Sequence, residues 1–275
     1  VNYRHAFHAG NFADCMKHAL LVWCVQAMQR KATGVMLLDT HAGIGRTDLA
    51  GTTPNRTGEY RGGVARLLAD PPDVLAPYLA LVRAAGENIY PGSPELLLAL
   101  ARPQDRVVLN EMHPEDAAVL RRLYRGRAAV HERDAYEAWP ALLPPPERRA
   151  LVLVDPPYEA GDEFDRLPQA LQLAHRKFPA AVTLLWYPIK SRAAPRALHD
   201  AVKLSGLSDV VAAEVWLREP TDAARLNGCG VLVVNPPYGF GAAAAEILAA
   251  LLPRLSDNEE GAGHAVLHVA DELGR

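Results

Sequence analysis

The chain has 275 residues, 49% apolar and 22% charged, enough to build a full core in one large α/β domain or two small ones. A net charge of -3 excludes a molecule drawn to nucleic acid as a whole, so any such binding needs a local basic patch. No apolar stretch is long enough to span a bilayer, Val1–His5 opens no signal peptide, and Cys15, Cys24 and Cys229 form no Cys-x-x-Cys pair, a pattern that argues against a zinc site or disulfide framework and fits a reducing, cytoplasmic setting.

Residues 3–11 are too polar and irregular for a strand. Gly10-Asn11 reads as a helix entry with Asn11 as N-cap, and the helix is expected to run to about Arg30 with Phe12, Met16, Leu20, Trp23 and Ala27 as its buried stripe. Thr33-Gly34 is the stop. Lys17 and His18 lie off that stripe, and with Tyr3, Arg4, His5 and His8 nearby they suggest the edge of a site rather than a plain solvated face.

Val35–Thr40 is an apolar strand that ends in a carboxylate, Asp39, and His41-Ala42-Gly43-Ile44-Gly45-Arg46 follows it. Glycines at 43 and 45 allow a sharp turn and a close ligand approach, but Asp48 stands where a dinucleotide fingerprint has its third glycine. The pattern suits a nucleoside-binding turn better than a pyrophosphate loop. The next strand does not arrive within the usual 30 or so residues. Residues 46–92 instead carry helical stretches near 60–70 and 74–86, separated by Pro71-Pro72, and read as a helical insertion on the ligand side of the sheet. Ser93 then stands as N-cap with Pro94 at the first helical position; a cap facing a cleft can also meet a carboxylate.

The second strand, Arg106–Glu111, ends in an acid able to accept both hydroxyls of a ribose. A helix to about Tyr124 and a short strand over 128–134 follow, and Asp134-Ala135 begins the next helix. Asp134 can serve as N-cap, as acceptor for an adenine amine, or both. The fourth strand is Leu151-Val152-Leu153-Val154, closed by Asp155-Pro156-Pro157-Tyr158. Two prolines stiffen the corner, leaving a carboxylate, backbone carbonyls and a ring at a strand tip. That set can clamp a planar group bearing an amine: Asp155 and the Pro156 carbonyl accept its hydrogens and Tyr158 stacks on it. A structural Asp-Pro-Pro turn is the plain alternative.

A helix near 164–178 and a fifth strand, Val182–Pro188, come next. Lys190, Arg192, Arg196 and Lys203 then form the best candidate basic patch. Strands over 209–217 and 229–234 follow, the second ending in Asn235-Pro236-Pro237-Tyr238. This second clamp is expected to be an echo: the short connection makes its strand antiparallel, which turns its end away from the ligand edge shared by the five parallel strands. A helix near 242–252 and a short apolar stretch at 265–269 finish the chain.

Together, Tyr-Arg-His-x-Phe-His-Ala-Gly-Asn-x-Ala-Asp-x-x-Lys-His at the start, Leu-Asp-Thr-His-Ala-Gly-x-Gly-Arg, Arg-Thr-Gly-Glu-Tyr, Tyr-Pro-Gly-Ser-Pro and Asp-Pro-Pro-Tyr-Glu resemble the bacterial large-subunit (23S) ribosomal RNA adenine-N6 methyltransferase family over nearly the whole chain. The resemblance implies an α/β, Rossmann-like class I methyltransferase fold, a seven-stranded mostly parallel sheet with an inserted helical subdomain at 46–92 and an N-terminal arm over 1–11. It implies S-adenosylmethionine as cofactor, held by His18, His41, Ser93, Glu111, Asp134, Ala135 and Asp155. Asp155 would be catalytic and Tyr3 would touch the RNA, with Pro156, Pro157 and Tyr158 around the target base. Ala135 departs from a glycine in the family pattern, a change that leaves a backbone contact intact. Ribosomal RNA is the expected partner of a monomer, with no metal and no membrane. A DNA adenine-N6 methyltransferase and a non-catalytic nucleic-acid-binding protein in DNA uptake stay open as alternatives.

Overall fold

The computed structural model describes residues 8–52, 57–159 and 161–271. The first helix, α1 (Phe12–Met28), is capped by Asn11, whose side chain accepts from the Asp14 backbone N–H. It is not the amphipathic surface helix that its stripe suggests: Lys17, His18 and nearly every other position are buried. The insertion, the helix Phe240–Leu255 near the end of the chain and the sheet pack around it.

After β1 (Met36–Asp39) the chain makes a short antiparallel pair, β2 (Arg46–Asp48) with β3 (Ile89–Pro91). Between them lie two 3₁₀ turns, Glu59–Gly62 and Asp73–Leu75, with helices α2 (Val64–Ala69) and α3 (Ala76–Ala84). The expected helical stretches are there, closed by a two-stranded sheet that short, polar β2 did not announce. The helix α4 (Ser93–Leu100) follows, with Gly92 rather than Ser93 as N-cap. Then come β4 (Arg106–Asn110), α5 (Pro114–Leu123), β5 (Ala129–His131), α6 (Ala135–Ala141), β6 (Ala150–Val154), α7 (Glu163–Lys177), β7 (Val182–Ile189), α8 (Ala193–Leu204), β8 (Val210–Trp216), β9 (Gly228–Val234), α9 (Phe240–Leu255) and β10 (Gly263–Ala270).

The main sheet has eight strands in the order β10-β8-β9-β7-β6-β1-β4-β5. The eighth is β10, paired antiparallel to β8. The sequence shows only a short apolar stretch there, because β10 is an edge strand with one largely open face. Strands β1, β4, β5, β6 and β7 are mutually parallel, as expected. Their unbroken apolar runs follow from burial on both faces. The pleat sends Leu37, Val107, Leu109, Leu151 and Leu153 into one core. It sends Met36, Leu38, Val108, Val152 and Val154 into the other. This is a Rossmann-like, doubly wound sheet with an antiparallel extension past β7. No helix among the described residues is long and apolar enough to cross a membrane.

The order in which strands are added reverses between β1 and β6: β4 and β5 are laid on one side of β1, β6 and β7 on the other. Such a switch point opens a crevice beyond the strands' carboxyl ends. Strand β9 runs antiparallel to β7, with Val234 opposite Thr183 at the start of β7. Asn235 and Tyr238 therefore leave the sheet at the edge opposite the crevice, as the short connection implies.

Gly45, at φ +83, lets the turn after β1 close, and a Cβ there would fall on the ring of buried Tyr124. Gly45→Ala should cost about 1–3 kcal/mol in urea unfolding, whereas Gly62→Ala, whose Cβ meets nothing, should stay within about 0.5 kcal/mol.

Candidate active site

Two cavities flank the corner at Asp155. The first, about 340 Å³, is lined by the tips of β1, β4, β5 and β6 and includes Thr40, His41, Gly43, Glu111, Asp134, Ala135, Asp155, Pro156 and Pro157. The second, about 380 Å³, lies toward β7 and includes His8, Asp14, Lys17, Asp155, Pro157, Tyr158, Trp186 and Lys190. Asp155 and Pro157 belong to both. The wall between the cavities is thus the Asp155–Pro157 corner.

Parallel pairing builds the first cavity. Thr40 N–H donates to the Leu153 carbonyl, Ala42 N–H to Asn110 and Glu111 N–H to His131, so the loop starts are tied in a row. Glu111 takes the Gly43 N–H on one carboxylate oxygen and the His113 N–H on the other, both at 2.8 Å. A carboxylate oxygen can accept more than one hydrogen bond. Asp134 caps α6 through the Tyr136 and Glu137 N–H groups and lines the cavity as well; both of its anticipated roles are open to it. Arg166 lies 4.1 Å over the Tyr136 ring and 3.8 Å from Asp134, closing one side. The Asp155 N–H reaches His41 Nδ1 at 3.3 Å, bridging the switch point.

Behind this wall Asp39 is fully buried. Burial raises its pKa to about 6, against the Ser93 hydroxyl and the His41 N–H, which lower it. Its Oδ2 has no well-placed hydrogen-bond partner among the described residues. With an acid for a ribose at Glu111 and ample volume, the residues present fit an aminoacyl nucleoside such as S-adenosylmethionine.

Lys17 dominates the second cavity. Its ammonium is 2.5 Å from Asp155 Oδ2 and 2.8 Å from Asp14 Oδ1, and its side chain is 3% exposed. Burial opposes its charge, but the two carboxylates outweigh burial and hold its pKa well above the ordinary lysine value. The Tyr158 ring packs on Phe164 and Trp186, and its hydroxyl donates to the Trp186 carbonyl. At the rim His8 Nδ1 contacts both oxygens of Glu59, a residue of the insertion.

The family model described as "Ribosomal RNA large subunit methyltransferase D, RlmJ" matches residues 32–268. The chain belongs to the RlmJ family. It is 34% identical over 257 residues to ribosomal RNA large subunit methyltransferase J of Haemophilus influenzae, covering 90% of this chain and 92% of that one. It is 34% identical over 276 residues to the protein of the same name in Escherichia coli, covering 97% and 98%. The crystal structure of a Legionella pneumophila protein superposes with a TM-score of 0.86 at 30% identity, covering 95% of this chain and 98% of that one.

For this RlmJ-family chain, the fold brings His41, Glu111, Asp134, Ala135, Asp155, Pro156 and Pro157 to one cavity and Tyr158 to its neighbour. Two expected cofactor residues do not line either cavity. His18 is fully buried and stacks on Tyr90, bonding its hydroxyl at 2.8 Å. Ser93 is buried beside Asp39, inside α4 instead of capping it. Both sit one layer behind, because α1 and α4 pack their small and polar residues against the strand ends. Tyr3, Arg4 and His5 lie outside the described residues, as does Arg56. Sequence reasoning missed the partner of Lys17, 138 positions away, and the walls made by Trp186, Tyr136 and Arg166. The crowding of basic residues around Lys17 was the one signal available.

Lys17→Met should destabilise the protein by about 3–5 kcal/mol, since Asp14 and Asp155 lose their shared cation; adding Asp155→Asn should recover part of it in denaturant titrations. Asp39 holds its proton in the folded state over a window where the unfolded chain, near the ordinary aspartate value of 3.8, has lost it. Its contribution therefore falls as pH rises from about 4 to about 6 and is flat above. Asp39→Asn removes that fall. The variant should gain up to about 3 kcal/mol on the wild type at pH 7 and little at pH 4, measured by urea unfolding at both.

Proposed function

We propose that the protein transfers a methyl group from S-adenosylmethionine to the exocyclic N6 amine of an adenine in large-subunit (23S) ribosomal RNA. The observation that carries this reading is the position of Asp155, on the one wall shared by a nucleoside-sized cavity and an aromatic, cation-rimmed one. Membership of the RlmJ family supports it. The proposed unit is a monomer, acting in the cytoplasm on naked or partly assembled rRNA.

In the first cavity Glu111 would hold the ribose hydroxyls, and Asp134 and the Ala135 backbone would meet the adenine edge. When bound, S-adenosylmethionine supplies an electrophilic methyl group. The target adenine enters the second cavity unpaired or flipped out, at a cost of a few kcal/mol in a duplex. Packing against Tyr158 and Trp186 returns about 1–3 kcal/mol of that. Asp155 and the Pro156 carbonyl accept the two amine hydrogens. This localises a lone pair otherwise spread into the ring and offsets positive charge growing on nitrogen. Asp155 is also placed to take the proton that methylation releases. Lys17 keeps the carboxylate in position.

Asp155→Asn should lower methyl incorporation into unmodified large-subunit rRNA by at least about 100-fold, while Asn235→Ala stays within twofold of wild type. Radiolabel transfer and mapping of the modified nucleotide measure both. Full activity in Asp155→Asn would discard the clamp. Incorporation into duplex DNA in preference to RNA would replace the substrate, and no binding of the cofactor by calorimetry would favour a non-catalytic role.

A further inference from the structure

The basic cluster after β7 takes no part in either cavity except through Lys190. We propose that it is the track for the RNA strand flanking the target adenine, with Lys190 and Arg196 on phosphates and the Arg192–Trp216 pair as a stacking platform for a neighbouring base; this rests on the rRNA reading above.

Continuity with the adenine cavity is the first argument. Lys190 lines that cavity, and Arg192, two residues on, lines a further hollow with Arg196, Trp216 and Leu267. Two residues span at most about 7 Å of chain, so a strand leaving the cavity past Lys190 meets Arg192 next. The turn is held rigidly: Asn227 is fully buried and donates its Nδ2 to the Lys190 carbonyl at 2.8 Å.

Charge and shape are the second. Lys190 and Arg196 are exposed and make no ion pair among the described residues. Arg192 behaves differently. One edge of its guanidinium is taken by Glu219, at 3.1 and 3.3 Å, and the group lies 4.7 Å over the Trp216 ring. The Trp216 indole is itself fixed by donating to the Gly261 carbonyl at 2.8 Å. With its charge engaged at the edge and its side chain 34% exposed, Arg192 offers a flat face rather than a free charge. Unstacked RNA bases stack on guanidinium planes in this way. Two acids border the hollow, and both are engaged: Glu214, 9% exposed on its floor, accepts from the Tyr187 hydroxyl beside His199, and Glu219 holds the Arg192 edge.

The test is steady-state methyl transfer to an rRNA fragment over a salt series. Arg196→Glu should raise KM for RNA about tenfold and reduce the slope of log affinity against log salt by roughly 0.7–0.9, the signature of one lost phosphate contact. Arg122→Glu has the same charge change on α5 at the far edge of the sheet and should leave both within twofold. Arg192→Lys keeps the charge but loses the plane, and should raise KM at least about fivefold, as Arg192→Ala does. Binding of S-adenosylhomocysteine within twofold of wild type certifies that each variant is folded. Equal effects of Arg196→Glu and Arg122→Glu, or rescue by Arg192→Lys, overturn the track. A wild-type protein that methylates no rRNA overturns the reading beneath it instead.

Discussion

A lysine ammonium buried between two carboxylates holds the molecule's working corner in place. Lys17 bridges Asp14 of its own helix to Asp155 at the tip of β6. In a poorly solvated interior neither acid tolerates the loss of that cation. The pairing extends outward. Asp14 also accepts the Gly10 N–H, Asn11 caps α1 and donates to Glu59, and Glu59 contacts His8. A continuous polar chain thus runs from the insertion, through the first turn of α1, to the carboxylate at the strand tip. It explains how α1 is buried along most of its length although it carries a lysine and an aspartate; its histidine is met separately by the Tyr90 hydroxyl.

The sheet supplies the other constraint. Parallel strands place their acidic ends on one edge, and the switch between β1 and β6 leaves a gap there. His41 and Asp155 stand on either side and are joined by a hydrogen bond from the Asp155 backbone N–H to the His41 ring nitrogen. The β4 side of the gap is polar and suits a ribose. The β7 side is aromatic and cationic and suits a base with its phosphates. One carboxylate faces both, as a transfer between two ligands requires.

Insertion and edge strands serve this arrangement differently. The β2–β3 pair and its helices brace the turn before α1, where Val64 N–H donates to the Gly10 carbonyl. The antiparallel β9, β8 and β10 extend the sheet past β7 and bring Arg192, Trp216 and the 218–227 loop alongside the second cavity. Reversal of β9 also sends Asn235-Pro236-Pro237-Tyr238 to the opposite edge, so two near-identical corners cannot share a role.

The sequence by itself determined five parallel strands, their acidic ends, and the corner at Asp155-Pro156-Pro157-Tyr158. Unbroken aliphatic runs closed by a carboxylate and a chain breaker are local signals, and local chemistry suffices to read them. It also determined that one of two such corners faces away, because connection length limits strand direction. Only the tertiary structure decided which side chains meet across the gap. Lys17 finds Asp155 far along the chain, His18 and Ser93 retreat behind the wall, and Trp186 turns toward Tyr158. Such pairings depend on how helices rotate as they pack on a sheet, and that rotation is set by the volume of neighbours from distant segments, which no stretch of the chain carries within itself.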